Sequence, residues 1–313
     1  MHRVNYILVR LLQMIPVALG ITIILFFLLR AIPGDPAAIR LGIRATPEGI
    51  ANLHRQMGLD KPIWTQYFIF LKNIVRGDFG ESFMFTVPVL DLIKQRMPLT
   101  LFLAAYATAM SIVITVPLAM IAALKKDQWV DNAIRGGFMI ALGMPQFWLG
   151  IIMLLVFSLW IPIFPISGFG KTIGEHFMHL TLPAFTLALA QSSWLIRSLR
   201  SDVINVLQAD YVDFARAKGL RERFIFLRHI LRNALLPTVT ILGLNVGYLV
   251  GGAVVVERVF AIPGMGSLML DAIFGRDYAV VQGVTFTFAL LVITINLLTD
   301  LTYSFLDPRV TLG

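Results

Sequence analysis

Residues 11–29 read LLQMIPVALGITIILFFLL, with Arg10 before them and Arg30 after. None of these 19 residues is charged. At 1.5 Å per residue a helix of this length covers about 28 Å, close to the thickness of a bilayer's hydrocarbon core. The stretch is too long for the apolar core of a secretory signal, and no small-residue cleavage site follows it. It therefore reads as an uncleaved membrane span, and the rest of the chain has to be read in lipid.

The composition agrees. Of 313 residues, 58% are hydrophobic and 14% charged, and mean hydropathy is +0.80. A soluble chain of this size could not bury that much apolar surface, and its charged share would be about twice as large. The absence of cysteine excludes structural disulfides, thiolate metal sites and cysteine nucleophiles. The excess of 26 basic over 18 acidic residues would fit nucleic acid in another setting. In a membrane protein it reads as cytoplasmic anchoring, with no nucleic-acid partner.

Further uncharged stretches lie at 97–124, 136–170, 180–196, 233–256 and 278–299, giving an expected total of six spans. The third is too long for one upright helix. Pro145 should kink it, and Pro162, Pro165 and Gly168 should end it in an external loop. Arg3, Arg10, Lys125, Lys126, Arg135, Arg309 and eight basic residues between Arg197 and Arg232 fall on one side of this arrangement. The short loops opposite hold Lys171, Arg258 and Arg276. The basic side is the cytoplasmic one, so both termini are expected there.

Two segments outside the spans stand out. Residues 31–96 combine a proline-rich start, a helical pattern over 47–57 and the aromatic residues Trp64, Tyr67, Phe68 and Phe70, which suggests a small folded external cap. The other is the cytoplasmic loop 197–236. In it Val203, Leu207, Tyr211 and Phe214 recur at helical spacing, and Lys218 with Gly219 forms a helix stop. A second run begins at Leu220 with Phe224, Leu227 and Leu231 on one face, before Pro237 opens the next span. Arg216, Arg221, Arg223 and Arg228 edge this helix–Gly–helix element. The pattern suits docking on anionic lipid heads and docking on a protein equally well.

The loop residues Asp213-Phe214-Ala215-Arg216-Ala217-Lys218-Gly219, followed by Leu220, resemble the EAA loop of ABC importer permeases, with Asp for the usual Glu and Phe for the first Ala. The longer distance from Gly219 to Pro237 resembles the peptide branch of that family. So do the runs RAIPGDPA (30–37), MGLDKPIWTQY (57–67), GDFGES (77–82), MPQFWLG (144–150), HLTLPAFTLALA (179–190), GAVVVERVFAIPGMG (252–266), RDYAVVQG (276–283) and NLLTDLTYSFLDPRV (296–310). Together they cover nearly the whole chain. It resembles the first of the two permease subunits of dipeptide, oligopeptide and nickel importers.

The resemblance implies an all-α polytopic fold of the type I importer class, in a bacterial cytoplasmic (inner) membrane. The expected parts are a first span (1–30), an extracytoplasmic cap (31–96) and a five-helix core (97–313) containing the coupling loop 197–236. The implied partners are a homologous second permease, two ATP-binding subunits, an extracytoplasmic binding protein and membrane lipid. ATP and Mg would be bound by the ATPase subunits, with no cofactor and no bond chemistry on this chain. Asp213, Ala215, Arg216, Ala217, Lys218, Gly219 and Leu220 would couple to the ATPase. Short peptides lead as solutes, with nickel or another chelated small solute as the alternative. An ATP-independent secondary transporter is the remote one.

Polar residues at membrane depth tend to mark pathways. Gln191, Asn245, Tyr248 and Asn296 are the candidates, while Asp300 reads as a cap or a partner of Arg309. Gly243, Gly247 and Gly251 repeat at the spacing that lets helices approach closely, on another span or on a partner permease. Gly170-Lys171-Thr172 imitates the end of a phosphate-binding loop, but the required first glycine is Pro165. His176 and His179, with Glu175 beside them, lack a third nearby ligand and read as a helical turn at a span entrance, with no metal assigned.

Overall fold

The computed structural model describes residues 2–31, 35–42 and 45–306; Pro33, Gly34, Arg309 and residues 307–310 generally, used above, lie outside the described residues. Among the described residues the regular secondary structure is helical, apart from one isolated bridge between Glu81 and Pro88. It divides into two compact units. One comprises Met1–Leu99 and Gly264–Ile293, the other Thr100–Pro263 and Thr294–Gly313.

The first unit is built on α1 (His2–Ala31), with α2 (Pro36–Leu41), α3 (Pro47–Met57) and α4 (Ile63–Val75) following. The cap helix expected over 47–57 is α3. Thr46 caps it, and Gly58 closes it at φ +67°, a left-handed conformation that glycine adopts without strain. Trp64, Tyr67 and Phe70 of α4 pack on α1. Tyr67 and Phe26 meet edge to face at 5.3 Å, and the Tyr67 hydroxyl lies 2.9 Å from Thr22 Oγ1. Asp35 accepts from the Ala37 amide at the start of α2 and from His54 Nε2 at 2.7 Å, fastening α2 to α3.

The segment 257–277, expected to be a short ordered loop, contains the helix α12 (Met265–Phe274). Its Met265, Leu268 and Ala272 form a core with Val89, Leu92 and Ile93 of α5 (Val89–Leu124) and with Val280 and Val284 of α13 (Tyr278–Leu306). Asp277, fully buried, accepts from Ser82 Oγ at 2.6 Å and from the Met84 amide at 3.2 Å. That carboxylate is what the GDFGES and RDYAVVQG runs have in common.

The second unit centres on α8 (Ile173–Leu207), which packs on α6 (Trp129–Gly143), α7 (Gln146–Leu154) and α11 (Arg232–Val259). The expected kink at Pro145 is a bend of 107° between Trp129–Gly143 and Gln146–Trp160. Asp131, fully buried in α6, accepts from Arg200 Nε on α8 at 2.7 Å and from the Asp127 amide at 2.9 Å.

Among the described residues four helices are long and apolar enough to cross a membrane: Arg10–Leu28, Val89–Leu124, Glu222–Val259 and Tyr278–Thr302. Counting the bent pair as one span gives five. The remaining expected span, 180–196, lies within α8, whose apolar run is interrupted by Gln191, Ser192 and Ser193. These three are buried among neighbouring helices, and Ser193 Oγ donates to the Phe138 carbonyl at 2.8 Å. A helix shielded in this way does not need a fully apolar surface.

Candidate functional site: a glycine-hinged loop and a polar helix face

The loop after α8 differs from one continuous stripe. The helix ends at Leu207, and α9 (Asp210–Ala217) starts after a break at Gln208 and Ala209. The break rotates the stripe. Val203 is buried, but on α9 the buried residues are Val212 and Ala215, while Tyr211 and Phe214 face outward. Phe214 is 62% exposed, with the Lys218 ammonium over its ring at 4.6 Å from the centroid.

The stop at Gly219 forms as expected. The Leu220 amide donates to the Ala215 carbonyl and the Gly219 amide to the Arg216 carbonyl, the paired closure of a helix ending on a left-handed residue. Gly219 has φ +74°, and an added Cβ there would meet nothing within 4 Å. A side chain at this position would therefore strain the backbone without clashing.

Arg216 spans the turn. Its Nε donates to Glu222 Oε1 at 3.0 Å and its Nη1 to Asp213 Oδ1 at 3.3 Å, so one guanidinium holds a carboxylate from each side of Gly219. The hydrogen bond to Glu222 holds the Arg216 pKa above its ordinary value.

Beyond Gly219 the second limb differs from the expected separate helix. α10 (Glu222–Phe224) runs through a π-helical stretch, Ile225–Leu231, into α11 without a break, and Pro237 lies inside α11 rather than at its start. The buried residues are Ile225 and Ile230, five apart, whereas Phe224 and Leu227 are exposed. Hydrogen bonding at i→i+5 shifts the buried face away from the four-residue spacing of an α-helix. Asn233 Nδ2 donates to the Tyr211 hydroxyl at 3.0 Å and so ties α9 to α11 directly. Glu222 and Asn233 were not singled out from the sequence, and Tyr211 was read there as part of an apolar stripe, not as a hydrogen-bonding partner. An acid three residues past the glycine stop, across from Arg216, was the available signal.

Three of the four polar candidates come together. Gln191 on α8 and Asn245 and Tyr248 on α11 line one cavity of about 430 Å³, with Gln146 and Trp194. Gln191 is only 5% exposed, and neither its Oε1 nor its Nε2 has a hydrogen-bond partner among the described residues. Tyr248 is 80% exposed. Asn296, on α13, does not line this cavity.

The glycine ladder divides. A Cβ on Gly243 would collide with the Thr299 side chain, so that face packs closely on α13. Gly251 has nothing within 4 Å and is exposed; the close contact further along is made by Gly252, against Gln146 at 2.6 Å.

The two motifs set aside in the sequence have structural employment. Thr172 Oγ1 accepts from the Glu175 amide and caps α8, while Glu175 Oε2 accepts from the Lys171 amide at 2.7 Å, which holds the Glu175 carboxyl below its usual range. His176 and His179 donate from Nδ1 to the Phe169 and Ser167 carbonyls, and the His176 ring stacks on Phe169 at 3.7 Å. Both rings tie down the loop before α8. Among the described residues no group of three or more metal-ligating side chains comes together.

Residues 115–312 match the family described as the inner membrane component of binding-protein-dependent transport systems, and residues 3–104 match its N-terminal counterpart. The chain belongs to this family. It is 39% identical over 312 residues to the oligopeptide transport system permease protein AppB of Bacillus subtilis, covering 97% of this chain and 98% of that one. The glutathione transport system permease protein GsiC of Escherichia coli K12 is 36% identical over 310 residues, covering 98% of each. A structure of the MetNI methionine ABC transporter in inward facing conformations superposes with TM-score 0.58 at 16% identity, over 69% of this chain and 96% of that one. At that identity the likeness concerns the fold. The chain is a multi-pass permease component of an ABC importer and not its ATP-hydrolysing subunit. Membership implies an ATPase and a binding protein as partners.

Proposed function

We propose that this permease forms half of the translocation pathway for short peptides or peptide-like solutes, beside a homologous second permease, with two ATP-binding subunits below and an extracytoplasmic binding protein above. In this reading both termini are cytoplasmic, the chain crosses the membrane six times with α8 as a shielded span, and residues 31–96 form the external cap between the first span (1–30) and the core (97–313). The solute class rests on relatives named for oligopeptide and glutathione transport.

The observation that carries the reading is the outward aromatic face of α9, Tyr211 and Phe214, beside a glycine stop and outside every candidate span. Exposed apolar side chains grouped in this way mark a surface that a partner covers. The Asp213–Leu220 turn would seat in a groove of the ATPase. Closure of the ATPases on ATP would move α9. Asn233 and the unbroken limb Glu222–Val259 would then carry the displacement into α11, where Asn245 and Tyr248 face the pathway. ATP acts on this chain only by favouring the conformation in which that contact is better. Gly251, open in the single chain, would pack on the second permease.

Affinity purification in mild detergent followed by mass spectrometry tests the assembly. Recovery of a second permease and ATPases with phosphate-binding-loop motifs is the expected result. Recovery of the chain alone would leave lipid as the surface that α9 rests on and would overturn the reading.

A further inference from the structure

Gln191, Trp194 and Arg197 follow one another at three-residue steps along α8, within a sector of about 120° of its surface, and that sector lines two adjoining cavities. The first is the amide-lined cavity described above. The second, about 540 Å³, shares Leu142 and Trp194 with it and is lined by Arg135, Arg197 and Arg200 without any carboxylate. Arg200 is committed to Asp131, and Arg135 Nε lies 3.7 Å from the same carboxylate. Arg197 has no ion-pair or hydrogen-bond partner among the described residues.

One end of this face therefore offers a buried amide whose donor and acceptor are both unsatisfied, and the other a guanidinium without a counter-ion. A buried amide lacking partners is costly unless something bonds to it. Six residues separate them, a rise of about 9 Å along the helix. An extended peptide advances about 3.3–3.6 Å per residue, so roughly three residues bridge the gap.

We propose that this face of α8 recognises the C-terminal end of a passing peptide, Gln191 bonding a main-chain peptide group and Arg197 the free terminal carboxylate. Trp194 is the apolar wall between them. The permease would then contribute its own selection for solutes with a free carboxylate. This inference rests on the peptide reading given above.

The test uses the complete transport complex with its binding protein in phosphatidylcholine vesicles, and tri-alanine and its C-terminal amide as probes. Arg197→Gln should lower ATP-driven uptake of tri-alanine about ten-fold, the loss expected for one charge-assisted hydrogen bond, and Arg197→Lys should restore most of it. Without the binding protein, tri-alanine but not its amide should change the tryptophan fluorescence of the complex, and Trp194→Phe or Arg197→Gln should remove that response. Unchanged uptake in Arg197→Gln, or equal fluorescence responses to acid and amide, overturns the inference while leaving the peptide reading in place. A wild-type complex that imports no alanine peptide of two to five residues overturns both. An effect of Arg197→Gln that needs added phosphatidylglycerol assigns the guanidinium to a lipid headgroup and also overturns the inference.

Discussion

Phe26 and Tyr67 in the first unit, and Tyr211 and Phe214 on α9, are aromatic residues in similar company with opposite fates. In the first pair the rings meet each other, the Tyr67 hydroxyl has Thr22, and the Arg30 guanidinium covers Phe26 at 3.5 Å. In the second pair the hydroxyl of Tyr211 is bonded, yet both rings face away from the chain. Their neighbours Val212 and Ala215 already supply the contacts that hold α9 in place. In the reading proposed above, aromatic surface of this kind that stability does not require is surface kept for another molecule.

The comparison can be broken most decisively at Gly219. Gly219→Asp should abolish ATP-driven uptake while the protein remains in the membrane. A residue with a Cβ in the left-handed region costs about 1–2 kcal/mol, too little to unfold the chain, whereas the turn offered to the partner is altered. Normal uptake by this variant would remove α9 from the coupling path.

The next effect separates the two aromatic pairs directly. Phe26→Ala should destabilise the protein by about 3–5 kcal/mol, read as a large fall in Tm in detergent. Phe214→Ala should shift stability by no more than about 0.5 kcal/mol, because its ring touches little of the chain. It should nonetheless reduce recovery of the ATPase subunits. Equal falls in Tm for the two variants would mean that Phe214 is an ordinary structural residue.

The smallest effect concerns the contact between α2 and α3. The hydrogen bond from His54 holds the Asp35 carboxyl below its usual range, with further help from the Ala37 amide. The folded-state value is thus the lower one. The stabilisation is fully present above the unfolded value near ~3.9 and is lost as pH falls through the folded value. Hydrogen-exchange protection over residues 36–42 should decline in that acid range, and Asp35→Asn should show the lower protection at every pH. A pH-independent profile in the wild type would remove the contact from the account.

Much of this was legible from residues alone. The spans starting at 11, 97, 233 and 278 lie within helices, α3 has the expected bounds, and the stop at Gly219 forms with the hydrogen bonds expected of it. Local chemistry decides those features. What the sequence concealed depended on departures from α-helical periodicity or on contacts distant in the chain. The break at Gln208 turned Tyr211 and Phe214 outward, and the π-helical stretch moved burial to Ile225 and Ile230. Asp131–Arg200 and Ser82–Asp277 pair residues 69 and 195 positions apart, which no spacing rule reaches. Asn296 failed to join the other polar candidates because its polarity placed it in a span without saying which way it faced.

The stretch Ile225–Leu231 also makes the limb between Gly219 and α11 sensitive to length in a way an α-helix is not. Ile225 and Ile230 are in phase because the backbone there takes five-residue steps. Removing one residue would restore four-residue steps and leave everything upstream turned by about 100° around the axis relative to α11. Asp213, Arg216 and Phe214 would then point at a different sector of whatever lies beneath them. In the proposed assembly the number of residues in this limb, as much as their identity, would set the bearing at which the permease meets its motor.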